Sequence, residues 1–227
     1  MDCGDHRVAI NPADRMIGGT IIREKNWQRA DFEFVLSALR NADLSVGPFV
    51  DVGANIGTQT IYAMKSGRFA SGIAIEPDLA NFHLLTTNLA LNGLTDRVEA
   101  LNVAASDRIG RATLNRSLTN HGAHTISVDG TDIALGPLRD ILGGRQVGLL
   151  WIDVEGHEPE VVRGLPADFS APMVLEFNGS KYGPRMRPLL AELGARYRGF
   201  VRLGADLDIR PTEQLASLAR GDILLMR

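Results

Sequence analysis

Cysteine is almost missing from this chain of 227 residues: Cys3 is the only one. A single thiol closes no internal disulfide, so stability has to come from a packed core, and a reducing compartment is expected. Long apolar runs are missing as well. None approaches the roughly 20 residues of a membrane helix. The opening "MDCGDHRVAI" is acidic and lacks the apolar centre of a signal peptide. These absences predict a cytoplasmic protein with no membrane insertion. The chain also lacks an excess of either charge: 24 Lys and Arg stand against 27 Asp and Glu, a net −3. Without a basic face, bulk nucleic acid is not an expected partner. Repeats and low-complexity tracts are absent too. The length suits one domain over residues 1–227, with an N-terminal extension and helix to residue 45, a core over 46–203 and a terminal strand pair over 204–227.

What the chain does have is alternation. Short strands are expected at Val8–Ile10 and Thr20–Ile22, and a helix capped by Asp31, with Phe32, Val35, Leu36 and Leu39 on one face. "PFVDV", "GIAIE", "VEALNVAAS", "VGLLWIDV" and "PMVLEF" read as buried strands. Between them lie helical stretches, among them "PDLANFHLLTTNLALNG", with Pro77 at its start and Gly93 past its end. Continuously apolar strands alternating with helices predict an α/β fold, a mostly parallel sheet covered on both faces. Residues 104–146 break the rhythm between the third and fourth strands. They read as an insertion, a small hairpin and a short helix near Pro137–Leu142, placed at the rim where specificity commonly resides. Within it, Asn120, His121 and His124 are candidates to close over a substrate.

Two stretches carry chemistry. "FVDVGANIGTQT" (49–60) runs from a strand into a glycine-broken turn. Ligands of open parallel sheets sit outside the carboxyl ends of the strands, so the turn is in the right place. The dinucleotide pattern G-x-G-x-x-G fails: Asn55 and Thr58 stand where glycines should. Asp51 would repel a diphosphate but attract an ammonium or sulfonium group. Glu76 ends the second strand, where an acid takes ribose hydroxyls. Together Asp51, Gly53, Asn55, Gly57 and Glu76 point to S-adenosylmethionine. Gly53 and Gly57 also suit a tight strand-to-helix turn for purely steric reasons.

The second stretch is "LLWIDVEGHEPEVVRGL" (149–165). Asp153, Glu155 and His157 arrive together where an apolar strand ends. Glu158 and Glu160 suit a helix start through the dipole alone. The cluster can orient an acceptor hydroxyl, with His157 or Asp153 accepting its proton, or it can ligate a divalent metal. With no second group of ligands visible in the sequence, the site is read without a metal.

With both stretches in view, the chain resembles the FkbM-type family of S-adenosylmethionine-dependent methyltransferases. The resemblance rests on "FVDVGANIGTQT", "AIEPDLANFHLLTTNLALNG", "NVAASDRIG" and "LLWIDVEGHEPEVVRGL", in that order, and spans roughly residues 48–180. It implies a Rossmann-like class I methyltransferase fold with a seven-stranded sheet whose last strand runs antiparallel. It implies O-methylation of a hydroxyl on a small molecule such as a sugar, glycolipid or polyketide-type natural product. By motif position, Asp51, Gly53, Asn55 and Gly57 would bind the methionine end, Glu76 the ribose and Ala104 the adenine side. Asp153, Glu155 and His157 would sit near the transferred methyl, Asp153 also touching cofactor. Trp151 departs from the family's usual lysine at that place. A nicotinamide oxidoreductase and a non-catalytic partner subunit are the alternatives on the same fold. A homo-oligomer is compatible with all of this.

Overall fold

A computed structural model describes residues 1–117, 124–127 and 130–227. Helices α1 (Ile17–Glu24) and α2 (Arg29–Ala38) precede β1 (Phe49–Val52). The chain continues through α3 (Thr58–Lys65), β2 (Gly72–Ile75), α4 (Leu79–Leu91) and β3 (Val98–Leu101). Then come β4 (Ala104–Ser106), β5 (Gly110–Asn115), β6 (Thr125–Ser127), β7 (Ile133–Pro137) and α5 (Leu138–Leu142). The second half holds β8 (Leu149–Ile152), α6 (Glu158–Arg163), β9 (Met173–Asn178), α7 (Gly179–Tyr182) and α8 (Met186–Arg196). It ends with β10 (Gly199–Arg202), β11 (Arg210–Pro211) and β12 (Arg220–Met226).

The main sheet has the order β11-β10-β12-β9-β8-β1-β2-β3. β1 pairs in parallel with both β2 and β8, and β12 runs antiparallel to β9 and β10. The chain builds outward from β1 to β3, then returns to place β8 on the other side of β1. The switch point therefore lies at the β1–β8 seam, where such sheets open a crevice. Alternate strand residues face opposite sides. Val50, Val52, Leu150 and Ile152 pack with Leu138, Val161 and Leu189 from α5, α6 and α8. Phe49, Leu149 and Trp151 pack on the other side with Phe32, Ile61 and Leu85 from α2, α3 and α4. Both faces are dry, which explains why these strands read as unbroken apolar runs.

Several expectations change. The sheet has eight strands rather than seven, because the two-residue β11 adds to the edge of β10. Thr20–Ile22 is helical, not extended. Gly18 and Gly19 both lie inside α1, where a Cβ on Gly18 would meet the Asn11 carbonyl at 2.9 Å. Asp14 caps this helix by accepting from the backbone of Met16 and Gly18. Val8–Ile10 forms no strand; its backbone is held instead by the Asn88 side chain, which bonds both N–H and carbonyl of Ala9. α2 begins two residues before Asp31, and α4 is capped by Asp78 rather than opened by Pro77. "VEALNVAAS" divides: Asn102 binds the carbonyls of Glu76 and Pro77, and β4 leaves for a second sheet, ordered β4-β7-β5-β6. The expected hairpin is thus part of a four-stranded sheet. Among the described residues, no helix is long and apolar enough to cross a membrane.

Gly53 tests the seam. Its φ is +84°, and a Cβ there would lie 1.8 Å from the Asp153 carbonyl oxygen. Gly67 has φ +72° but open space around it. Gly53→Ala is expected to cost on the order of 3 kcal/mol or more and Gly67→Ala about 1 kcal/mol. In a chain of this size that difference separates their thermal midpoints by roughly 4–8 °C, readable by circular dichroism.

Candidate active site

The site begins with the turn after β1. Three residues within five, Gly53, Asn55 and Gly57, have positive φ of 84°, 51° and 88°. A Cβ on Gly57 would meet Leu85 Cδ1 at 2.6 Å, so the buried Leu85 side chain would have to shift. The turn is pinned from two sides. The N–H groups of Gly53 and Ala54 both donate to the Ile75 carbonyl, and Asp153 N–H donates to the Val52 carbonyl. Glu76 completes the clamp: one carboxylate oxygen accepts from Asn55 N–H at 2.8 Å, the other from Asp78 N–H at 2.8 Å.

Two cavities open from this joint. The first is lined by Glu76, Asn81, Ala104, Ala105, Leu114, His124, Ile126 and Val154. The second, of about 290 Å³, is lined by Met16, Trp27, Gln28, Asp51, Thr58, Trp151, Glu176, Arg220 and Asp222. Gly53, Asn55, Asp153 and Glu155 border both and form their common wall. The second sheet supplies one side of the first cavity. It is tied down by Arg116, which donates to Asp78 at 2.6 Å beside Glu76.

Carboxylates dominate the chemistry. Burial pushes Glu76 from its ordinary 4.5 up to about 7, against the two N–H groups that favour its ionised form. Burial likewise lifts Asp51 from 3.8 to about 6, partly offset by Thr60 Oγ1, which donates at 2.5 Å. Asp153 is raised by burial and then by the negative charges of Glu176, Glu155, Glu158 and Asp222. Asp222 is pushed to about 6, by burial first and Glu176 next. Glu155 pairs with Lys181 and Glu176 with Arg220, the latter at 3.1 Å.

The predicted residues distribute as follows. Asp51, Gly53, Asn55, Glu76, Ala104, Asp153 and Glu155 all line one or both cavities; Gly57 lies behind the turn and lines neither. His157 does not reach the crevice either, contrary to expectation. Glu155 and Gly156 adopt φ of 54° and 105°, and the chain turns so that the His157 ring is buried against other partners. Its Nε2 lies 3.1 Å from Ser106 Oγ and its Nδ1 3.6 Å from Glu160, which Arg185 holds at 2.8 Å. Glu158 braces the same loop, accepting from the N–H groups of Val154 and Gly156. Trp151 is an interior residue, 5% exposed, its ring 5.9 Å from that of Phe32 and its edge on the second cavity. His124 borders the first cavity, and Asn120 and His121 lie outside the described residues. Glu176 and Asp222 were missed by sequence reasoning. They face each other across β9 and β12, a pairing that only the strand register reveals.

The seam, the strand order and the glycine turn define a Rossmann-like methyltransferase fold. Residues 51–197 match the methyltransferase FkbM domain, and the chain belongs to that family. It is similar to methyltransferase sdnD of Sordaria araneosa, 28% identical over 162 residues, covering 55% of this chain and 62% of that protein. The chain thus spans about three-fifths of the length of the curated relative it matches. Among solved structures it resembles the methyltransferase FkbM of Methylobacillus flagellatus KT, with a TM-score of 0.54 at 16% identity. That superposition covers 81% of this chain and 44% of the other.

Glu76 offers a test of the electrostatics. Because its folded-state value lies above its unfolded one, its contribution to stability is complete below about 4.5 and is lost as pH rises through about 7. Glu76→Gln removes that titration. Its thermal midpoint is expected to fall less steeply than the wild type's between pH 4.5 and 7.5, measured in parallel melts.

Proposed function

We propose that the protein transfers the methyl group of S-adenosylmethionine to a hydroxyl oxygen of a small molecule. The observation that supports this most is the sign of the charge at the joint of the two cavities. Glu76, Asp51, Asp153 and Glu155 surround the turn where a diphosphate would lie in a dinucleotide enzyme. A diphosphate would be repelled there, whereas a ligand with sulfonium and ammonium groups and no phosphate is attracted. This also disfavours the nicotinamide reading.

The residues present fit such a cofactor. Glu76 would accept from ribose hydroxyls, and Ile75, Ala104, Ala105 and Leu114 give adenine an apolar slot. Asp51, Asn55 and the backbone of Gly53 would hold the methionine end. The cofactor supplies a methyl group on a good leaving group. The protein's part is then mainly positioning, which contributes up to ~7–11 kcal/mol in ideal cases. The acceptor would enter the second cavity and meet the common wall. Asp153 is the fitting base: it borders both cavities, and its crowded, half-buried carboxylate holds a proton more readily than an ordinary aspartate. His157, facing Ser106 instead, serves to tie α6 to the second sheet.

Two outcomes are expected. Calorimetric titration with S-adenosylmethionine and S-adenosylhomocysteine should show saturable binding, at least tenfold weaker in Glu76→Ala; a folded wild type that binds neither ligand overturns the reading. For His157→Ala, stability should fall by about 1–3 kcal/mol as Ser106 loses its buried partner. Its rate of S-adenosylhomocysteine release, with whichever hydroxylated acceptor a panel identifies, should stay within about threefold of wild type. A hundredfold loss would return His157 to the chemistry.

A further inference from the structure

The second cavity carries more negative charge than its own cations and the proposed cofactor can balance. Asp51, Asp153, Glu155, Glu176 and Asp222 line it, and Arg220 is the one cationic side chain among its described lining residues. Lys181 reaches Glu155 from beside the cavity. S-adenosylmethionine brings a sulfonium and an ammonium but also a carboxylate, one net positive charge. Set against the five carboxylates, these three positive charges leave up to two negative charges uncompensated.

Within this group, Asp153, Glu155 and Glu176 each place an oxygen so that all three lie within 4.8 Å of one another. Opposed ligands are about 4.2 Å apart around Mg²⁺ and about 4.6–5.2 Å apart around Ca²⁺, so a spread of up to 4.8 Å is within the reach of Ca²⁺ and has to close by a few tenths of an ångström around a smaller ion. An independent observation points the same way. Glu176 is 9% exposed, and while one of its oxygens accepts from Arg220, Oε2 is buried with no hydrogen-bond partner. A buried carboxylate oxygen without a donor is costly and asks for a cation.

We infer that Asp153, Glu155 and Glu176 form a binding site for a hard divalent cation of the Ca²⁺, Mn²⁺ and Mg²⁺ class, beside the place where the acceptor hydroxyl is methylated. All-oxygen ligation selects this class over zinc or copper. Three protein ligands leave coordination positions open for water and for the acceptor oxygen. The role in catalysis rests on the proposed methyl transfer; the binding does not. In that role the ion polarises the acceptor hydroxyl. The methyl carbon forms its bond to oxygen as the carbon–sulfur bond breaks, sulfur keeps the electron pair, and the hydroxyl proton passes to water.

The test uses the full chain and Mn²⁺, followed by electron paramagnetic resonance of the free ion at pH 7.5, with and without S-adenosylmethionine. One saturable site is expected, weakened at least tenfold in both Glu176→Gln and Glu155→Gln. Circular dichroism melts confirm that each variant is folded, and the milder Glu155→Gln, at a half-buried position, covers the case in which Glu176→Gln is not. No saturable Mn²⁺ binding to the wild type, or binding that both folded substitutions leave unchanged, overturns the proposal. Cofactor titration of the same wild-type sample separates the two ideas. Cofactor binding without Mn²⁺ binding removes the metal site and leaves methyl transfer standing; Mn²⁺ binding without cofactor binding does the reverse.

Discussion

The contact on which the site depends is the approach of the Gly53 backbone to the carbonyl of Asp153. No side chain fits between them. That closeness lets the turn after β1 lie directly over the end of β8, and the Ile75 carbonyl and Glu76 carboxylate then bind it from the β2 side. Three strand ends are locked into one joint. Because the joint is thin, the crevice divides into two cavities that share a wall, and Asp153 and Glu155 are exposed to both. A bulkier joint would have separated them. Chemistry that brings one ligand's reactive atom against another ligand needs two cavities that meet at such a joint, with reacting atoms about 3–3.5 Å apart.

Gathering carboxylates at that wall opposes folding. Asp51, Glu76 and Asp222 all hold protons at higher pH than free acids do, which means their ionised forms are disfavoured where they sit. The fold tolerates this because its stability is secured elsewhere. Two apolar clusters on opposite faces of the sheet are built from residues that are almost all fully buried. Strain of this kind, concentrated at one rim of an otherwise well-packed domain, is what a site for cationic ligands would require, and such ligands would relieve it on binding.

Much of the frame was legible in the sequence because parallel strands advertise themselves as unbroken apolar runs, and their last residues can be counted. Asp51 and Glu76 were found that way. Glu176 and Asp222 could not be. Each reads as a polar residue at the end of an apolar segment, and they meet only through the antiparallel register of β9 and β12. His157 failed for the opposite reason. It is near Asp153 in sequence, but two successive positive-φ residues turn the chain between them. Trp151 shows what alternation can and cannot decide. It is aligned with Asp51 across β1 and β8, so it faces the same side, but only packing against Phe32 makes that side an interior.

The two cavities are closed by different parts of the chain, and this bears on where acceptor choice resides. The second sheet, with Leu114, His124 and Ile126, borders the first cavity, where the proposed cofactor's adenosine would lie. Met16, Ile17, Trp27 and Gln28, from the segment around α1 and the start of α2, border the second. The insertion expected to close over the acceptor is thus, in its described part, a wall of the other cavity. The N-terminal part of the second cavity's wall precedes the span that matches the family, which begins at residue 51. This segment also packs directly on the joint: Ile17 and Ile21 share an apolar cluster with Ile56 of the glycine turn, and Trp27 N–H donates to the Tyr62 hydroxyl of α3. On the proposed reading, acceptor choice is shared between residues 16–28, which the family match does not reach, and Trp151, which it includes.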